Sequence, residues 1–236
     1  FTTEDDIQLP NSGFEDWYTD SDGLPKPAKD ASSSFWDCGN VNYFGKHIMT
    51  TQNDETALGQ GSSVKMETQE TMKIIAAGNI FTGTFERDGM GGILTLGRNF
   101  ECRPNKLKGY YKYTSAKVSV SKGHLNEGED DLCSLYIALT DEQITVNTNK
   151  GIYFDPNSSA VIAYGSISDE ESKGADSFKE FTVDLEYKDL KRIPKYIIVV
   201  ASSSKYGDYM EGGKGSTMWL DDLELVYPKS MEEVRK

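Results

Sequence analysis

The segment that most constrains the fold is residues 216–227, which read STMWLDDLELVY and alternate in the manner of a β-strand. The better candidate for a core face has two aromatic residues and two leucines around one aspartate: Trp219, Asp221, Leu223, Leu225 and Tyr227. A carboxylate in such a row needs a hydrogen bond, a cation or a metal, because burying it alone costs several kcal/mol. Asp221 is therefore either a strand-end residue satisfied by backbone N–H groups or a lysine, or a calcium ligand.

The composition and the spacing of apolar segments predict an all-β protein. The 236 residues include 22 Gly, 13 Tyr, 10 Phe and 3 Trp, and no segment shows a sustained helical periodicity. About eight to ten strand-like segments separated by turn residues indicate a two-sheet antiparallel β-sandwich of jelly-roll type. We expect one domain over residues 9–228, with a linker remnant at 1–8 and a charged tail at 229–236.

Two segments in the interior of the chain are the clearest strands besides the last one. Residues 132–140 read LCSLYIALT, and residues 196–201 read YIIVVA, which is apolar on both faces and typical of a central strand. A bulge near Phe181 is expected in the strand that contains it. The remaining strands are predicted within 9–17, 62–68, 76–85, 107–121, 161–166 and 178–187.

The charge and the cysteine and histidine content exclude several classes of function. The formal net charge of −13 leaves no basic stripe for nucleic acid, and it disfavours an anionic membrane surface or an acidic polymer. Cys38, Cys102 and Cys133 lack CxxC spacing, which argues against a disulfide framework or a cysteine zinc site. His47 and His124 are the only histidines, so a multi-histidine metal centre is excluded. No apolar run is long enough for a transmembrane helix.

The first candidate site combines residues from both ends of the chain. In a sandwich of this type the first and last strands lie together, which would bring Glu15 near Asp221. Calcium prefers several oxygens from carboxylates and backbone carbonyls. Glu15 and Asp221 would supply carboxylates, and backbone oxygens of residues 11–13 and of Lys65 would complete the metal site. The alternative is two ordinary acidic residues on neighbouring strand ends.

The second candidate site is built from aromatic side chains. Trp and Tyr rings stack on the apolar faces of sugars, with polar groups at the rim of the site. Trp36 in a polar loop, and Tyr206, Asp208 and Tyr209 in a Gly-, Ser- and Tyr-rich loop, are the candidates for carbohydrate binding. Glu211 could also bind sugar hydroxyls. The alternatives are that the rings pin their loops to the sandwich and that the acids are solvated turn residues.

The sequence contains no clear catalytic signature. Glycosidases need two carboxylates at a defined separation, but among 38 Asp and Glu residues some pair meets that spacing by chance. Neither a GxSxG elbow nor an HExxH helix is present, and the glycines at 89–92 lack the strand and helix of a phosphate loop.

Two resemblances add to this interpretation. NSGFE, SSVKM and WLDDL resemble the motifs around the structural ion of calcium-containing carbohydrate-binding jelly rolls. A longer set of segments resembles the putative carbohydrate metabolism domain (PCMD) family of Bacteroidetes: GFEDW, AAGNIFTGTF, RPNKLKGYYKY, LYIALTD, VIAYGS and PKYIIVVASSSKYGDYMEGGKGSTMWLDDLELVY. This implies a galactose-binding-like or carbohydrate-binding-module sandwich in an extracytoplasmic, often lipid-anchored protein. Phe178 stands where the family pattern has Trp, a change that affects packing only.

These expectations support three hypotheses. The first is a non-catalytic module that binds poly- or oligosaccharides, or another surface, at the cell surface or in the periplasm. The second is a glycoside hydrolase or lyase on the same scaffold, and the third is a structural or adhesin module that binds a protein. We interpret the start at Phe1 as the remnant of a longer precursor without its signal peptide, so other domains of that chain are potential partners.

Overall fold

The computed structural model describes residues 7–228, in which strands are joined by turns and four single-turn 3₁₀-helices. The prediction of an all-β protein is confirmed. Most of the predicted linker remnant at 1–8 and all of the predicted tail at 229–236 lie outside the described residues. In the described part of the chain, no helix is long and apolar enough to span a membrane.

The strands are numbered here in chain order. The first ten are β1 (Tyr18–Thr19), β2 (Pro25–Lys26), β3 (Trp36–Asp37), β4 (Val41–Asn42), β5 (Lys46–His47), β6 (Thr50–Asn53), β7 (Ser63–Glu67), β8 (Gln69–Thr71), β9 (Ile74–Ala76) and β10 (Asn79–Asp88). The next ten are β11 (Gly91–Leu96), β12 (Arg98–Asn99), β13 (Lys106–Thr114), β14 (Ser134–Thr140), β15 (Ile144–Asn147), β16 (Val161–Ser166), β17 (Ala175–Asp184), β18 (Glu186–Tyr187), β19 (Tyr196–Ser202) and β20 (Thr217–Val226). The 3₁₀-helices are Ala31–Ser33, Thr148–Lys150, Glu171–Lys173 and Gly207–Tyr209.

Two large antiparallel sheets organise the molecule. The five-stranded sheet has the order β17-β13-β20-β7-β6. The nine-stranded sheet has the order β15-β11-β10-β19-β14-β16-β18, with β3 paired to β10 and β12 paired to β19. The hairpins β1–β2, β4–β5 and β8–β9 lie outside both sheets as separate two-stranded pairs.

The main core is formed by side chains from both sheets. Leu107 and Tyr111 of β13 and Ile137 of β14 are fully buried in one apolar cluster. The predicted central strand β19 contributes to this core and also to a second cluster on its other face. Because each fully buried large apolar side chain contributes about 1.5–3 kcal/mol, this core is the main source of stability.

The second apolar cluster belongs to the nine-stranded sheet alone. It contains Phe81, Leu94 and Ile198, with the rings of Phe85 and Tyr136 packed against it. Since alternate residues of a strand point to opposite faces, this cluster covers the face of the sheet that is turned away from the main core. An apolar outer face of this kind is the surface on which a binding site can be built.

The first segment of the chain lies along the last strand. The Leu223 amide donates to the Ser12 carbonyl at 3.0 Å, and the Gln8 side-chain amide donates to the Leu225 carbonyl at 2.8 Å. The short strand predicted within 9–17 is not formed, because this segment makes a turn and is held by single hydrogen bonds rather than a ladder.

The faces of β20 differ from the prediction in the first half of the strand. Met218 and Leu220 are fully buried in the main core, whereas Trp219 is partly exposed, with Lys112 Nζ 4.4 Å from its ring centre. In the second half, Leu223 and Leu225 face the core as predicted. The predicted core face is therefore correct for the leucines and wrong for Trp219.

A β-bulge in the middle of β20 causes this change of face. Tyr110 of β13 pairs with Asp221 and Lys108 pairs with Glu224, so β20 has one more residue than β13 between these pairs. Asp222 in this bulge has a φ of 47°, in the left-handed region. One inserted residue shifts the alternation of the strand, so the side chains after it change faces.

Candidate functional site

The loop between β19 and β20, residues 203–216, builds the candidate site, and Asp131 anchors it. Asp131 is fully buried, and its Oδ2 accepts hydrogen bonds from Ser204 Oγ at 2.6 Å, Gly213 N at 2.8 Å and Ser216 Oγ at 2.8 Å. Its Oδ1 accepts from the next backbone amide at 2.8 Å. Burial raises the pKa of Asp131 even though these bonds favour its charged form.

Glu211 fastens the same loop to residues 122–125. Its carboxylate is fully buried and accepts hydrogen bonds from the amides of Lys122 at 2.7 Å, His124 at 3.2 Å and Leu125 at 2.5 Å. His124 Nδ1 lies 3.0 Å from Glu211 Oε2. Burial pushes the pKa of Glu211 upward, but the hydrogen bonds outweigh it and the net pKa is lowered. Glu211 is thus a structural residue, neither a solvated acid nor a sugar contact.

Four aromatic rings form a patch on one side of this loop. The Tyr206 and His124 rings stack with centroids 4.4 Å apart, and the Tyr209 and Tyr153 rings stack at 4.0 Å. His124 also contacts Tyr209, with centroids 4.3 Å apart. The three tyrosines are partly exposed, and the His124 side chain is 33% exposed. These four residues are called the ring patch below.

A groove of about 380 Å³ also borders this loop, which contributes Gly207, Asp208 and Met210 to its lining. Three hairpins enclose it: β4–β5, β8–β9 and β10–β11. Most of its walls are aliphatic, methionine or aromatic side chains, among them Val41, Met49, Ile75, Phe85, Leu94 and Met210. This volume and lining are typical of small-molecule sites.

Asp208 is the carboxylate that faces this groove. It also borders an adjoining cavity of about 50 Å³ that is lined by Tyr136 and Lys205. Within residues 7–228, no group donates a hydrogen bond to the Asp208 carboxylate, and Lys205 pairs with Asp169 instead. Burial alone raises the pKa of Asp208. A carboxylate without a protein partner is available to a ligand.

Close packing behind Asp208 fixes the position of its helical turn. A Cβ added to Gly207 would lie 2.4 Å from the Ala77 side chain, closer than real contacts allow. Only glycine therefore permits the turn Gly207–Tyr209 to approach the end of β9 this closely. The approach places Asp208 between the groove and the small cavity.

Three of the four residues predicted to bind carbohydrate lie together, and the fourth does not. Tyr206, Asp208 and Tyr209 occupy or adjoin one helical turn. Trp36 is 1% exposed, its ring packs edge-on against Phe14 at 5.4 Å, and its indole N–H donates to a backbone carbonyl at 2.7 Å. A ring with no exposed face cannot stack on a sugar, so the structure supports the alternative in which Trp36 pins its loop.

Two of the residues proposed to bind a metal lie near each other at the junction of the chain ends. A Cβ on Gly13 would lie 3.5 Å from Glu15 Oε1 and 3.3 Å from Asp222 Oδ1. Asp221 is 2% exposed, and its Oδ2 accepts from the Ala57 amide at 2.9 Å. Burial, together with the nearby charges of Asp222 and Glu15, raises the pKa of Asp221 to about 6.

Lys65, the third residue proposed for the metal site, pairs with Trp219 on β20, two residues before Asp221. Two residues of a strand span roughly 6.6 Å, so Lys65 is offset along the sheet from the position of Asp221. Within residues 7–228, no three His, Cys, Asp or Glu side chains are grouped as ligands for an ion.

Residues 11–226 match the family described as Putative carbohydrate metabolism domain, PCMD. The chain belongs to the PCMD family. The resemblance found in the sequence motifs is thereby confirmed. No curated protein matches this PCMD domain significantly in sequence.

Solved structures similar to the PCMD domain include two described as putative glycoside hydrolases. One, from Bacteroides thetaiotaomicron, has 25% identity and a TM-score of 0.62 over 78% of this chain, and the chain spans only 58% of its length. The other, from Bacteroides vulgatus, has 22% identity and a TM-score of 0.65 over 96% of both chains. The second similarity shows that the fold is shared along nearly the whole domain.

The structure also brings to the candidate site residues of the PCMD domain that the sequence analysis missed. His124 and Tyr153 are distant in sequence from the loop at 203–216, and only the fold brings their rings to Tyr206 and Tyr209. The groove was missed because its walls come from short hairpins without a strand-length pattern. A large apolar residue at a turn, such as Phe44 between Tyr43 and Gly45, was the available signal.

Proposed function

We propose that this PCMD domain is a non-catalytic glycan-binding module of an extracytoplasmic Bacteroidetes protein. The observation that supports it most is the ring patch beside Asp208, because partly exposed rings next to a free carboxylate suit the apolar faces and hydroxyls of a sugar. The family description and the Bacteroides origin of the two similar structures favour the same setting. We place the longer protein at the cell surface, held by a lipid anchor.

The number of carboxylates that line the groove favours binding over hydrolysis. Glycosidases of the common types use two carboxylates, about 5–5.5 Å or 6.5–9.5 Å apart. Asp208 is the only carboxylate among the described residues that line the groove. A second acid would have to come from outside this lining, so we assign Asp208 to hydroxyl binding.

Calorimetric titration against a broad panel of plant and host oligosaccharides tests the proposal. We expect one class of glycan to bind, and Tyr209→Ala to weaken that binding roughly tenfold through the loss of one stacking ring. Asp208→Asn should also weaken it. Tyr110→Ala is the matched control, because Tyr110 is a partly exposed tyrosine on β13, in the other sheet.

Three results would contradict the proposal. Folded protein that binds no glycan of the panel would exclude it. Release of new reducing ends, abolished by Asp208→Asn, would establish the hydrolase alternative. Capture of a protein partner without any dependence on sugar would favour the adhesin alternative.

We further propose that calcium binds at the junction of the chain ends. The donor set would be the carboxylates of Glu15 and Asp221, which lie near enough for their charges to interact, completed by backbone carbonyls of the neighbouring turn. A cation there would offset the mutual repulsion and burial that raise the Asp221 pKa. Its role would be to hold the first segment against β20.

Thermal unfolding with and without calcium tests this site. At a free calcium concentration of 100 times Kd, the expected gain is about 2.7 kcal/mol, and chelation should reverse it. Asp221→Ala should remove the calcium dependence, whereas Asp184→Ala on the exposed face of β17 should not. A melting temperature of the wild-type protein that does not change with calcium would refute the site.

We also propose that the fold is a two-sheet jelly roll. The order β17-β13-β20-β7 in one sheet and β10-β19-β14-β16 in the other supports it, because the first of these strands, β7, lies beside the last, β20. The chain also passes between the sheets in the manner of that fold. A crystal structure with β7 and β20 in different sheets would contradict it.

A further inference from the structure

The walls of the groove are unusually apolar for a site that binds only sugar. Side chains such as Met49, Ile75 and Leu94 offer no hydrogen bonds, and a sugar buried among them would lose the water bound to its hydroxyls. Methionine side chains are flexible and adapt to irregular apolar ligands. The groove therefore suits a ligand with an apolar body.

The rim of the groove supports this assignment. Phe44, Met72 and Met90 are 94%, 84% and 56% exposed, and each occupies the tip of a different hairpin around the groove. Phe44 and Met72 have φ values of 52° and 50°, a conformation that bulky residues seldom adopt. Exposed apolar residues that converge on one concavity mark an interaction site. A ligand in the groove would cover part of all three.

The lining of the groove adds one polar requirement. Asp208 accepts no hydrogen bond from the described part of the chain, so a ligand that donates one there would satisfy it. Arg87, which lines the groove with its guanidinium 4.2 Å from the Tyr43 ring, disfavours a cationic ligand. The Asp208 carboxylate itself disfavours an anion.

We propose that the groove binds an uncharged small molecule that has an apolar body of about two or three fused rings and a hydroxyl that donates to Asp208. The size follows from the volume of about 380 Å³, and the hydroxyl from the unpaired carboxylate. This site shares the Asp208 carboxylate with the proposed glycan site but does not use the ring patch, and it does not require glycan binding.

Three matched probes test the proposal by fluorescence titration at pH 7: 2-naphthol, 2-methoxynaphthalene and 2-naphthoate. They share one ring system and differ in being a hydrogen-bond donor, a non-donor and an anion. We expect 2-naphthol to bind saturably at one site and 2-methoxynaphthalene to bind about tenfold more weakly, since a hydrogen bond to a charged group is lost. 2-Naphthoate should bind most weakly.

Two sets of variants locate the binding. Asp208→Leu should bring 2-naphthol and 2-methoxynaphthalene to equal affinity, and Asp208→Asn, which keeps the shape, should give an intermediate ratio. The combined variant Phe44→Ser, Met72→Ser and Met90→Ser should weaken all three probes.

The control for the rim is Leu190→Ser with Ile193→Ser, which are 44% and 66% exposed and do not line the groove. It should leave all three affinities unchanged. Glycan binding at the ring patch should survive the rim variant, which separates the two proposals. Titrations that do not saturate, equal affinities for the three probes in the wild-type protein, or a rim variant that behaves like its control would each overturn the proposal.

Discussion

Asp131 and Asp208 lie at the same loop, and their environments are opposite. Asp131 is fully buried and accepts four hydrogen bonds from groups of the protein. Asp208 is partly buried at a groove and accepts none from residues 7–228. Burial raises the pKa of both carboxylates, so the pKa direction does not distinguish them. The number of protein donors does, and it separates a structural acid from one left for a ligand.

Glu211 belongs with Asp131 in this comparison. Its carboxylate is used entirely by the segment at 122–125, much as Oδ2 of Asp131 is used by the loop at 203–216. The loop is therefore tied down before and after the helical turn that bears Asp208. Rigid anchors on both sides allow an unsatisfied carboxylate to hold its position without hydrogen bonds of its own.

The largest expected effect comes from Asp131→Ala, which tests whether the Asp131 carboxylate is structural. It leaves two hydroxyls and two amides without an acceptor in a buried site, and we expect a loss of more than about 3 kcal/mol in the free energy of unfolding. Urea unfolding followed by circular dichroism measures it. A loss below about 1 kcal/mol would mean that the network is not structural.

An intermediate effect is expected from Glu211→Gln, at about 2 kcal/mol for the loss of charge-assisted hydrogen bonds. The direction in which this effect changes with pH follows from the lowered folded-state pKa of Glu211. The stability it contributes is present above the ordinary Glu pKa and is lost as pH falls through the lowered folded-state value. Unfolding curves of wild type and variant should therefore converge in acid. If the stability difference between wild type and variant did not shrink in acid, the Glu211 carboxylate would not have the structural role assigned to it.

The smallest effect is expected from Asp208→Leu, which removes a carboxylate without protein donors. We expect unchanged stability or a gain of up to about 1 kcal/mol at pH 7. The folded-state pKa of Asp208 is raised, so its ionised form costs stability at neutral pH, and this cost disappears as pH falls towards the ordinary Asp value. The gain should shrink accordingly in unfolding measurements from pH 7 downwards. A clear destabilisation by Asp208→Leu would show that a protein partner holds this carboxylate.

Several elements of the fold could be predicted because their signals are local. The alternation in residues 62–68 and the double-sided apolar run in 196–201 correspond to β7 and β19. The leucines at 223 and 225 face the core as expected. The segment predicted within 107–121 forms a strand that ends at Thr114.

The errors have one physical origin, which is pairing with a distant partner. The bulge at Asp222 exists only because β20 must match the register of β13, so the face of Trp219 could not be read from its own strand. The bulge expected near Phe181 falls instead between Ala175 and Lys179, opposite Tyr113 and Tyr111. Trp36 was predicted to lie in a polar loop, but the structure buries it in the main core, which both sheets form.

The amino-acid sequence by itself determined that this chain forms antiparallel sheets and that it belongs to the PCMD family, because alternation and family motifs are local properties. Only the tertiary structure decided which of these acids are satisfied and which is free, because three of the four donors to Asp131 come from residues 73 to 85 positions away along the chain. Only the tertiary structure assembled the groove, since the three hairpins and the loop that line it come from separate segments of the chain.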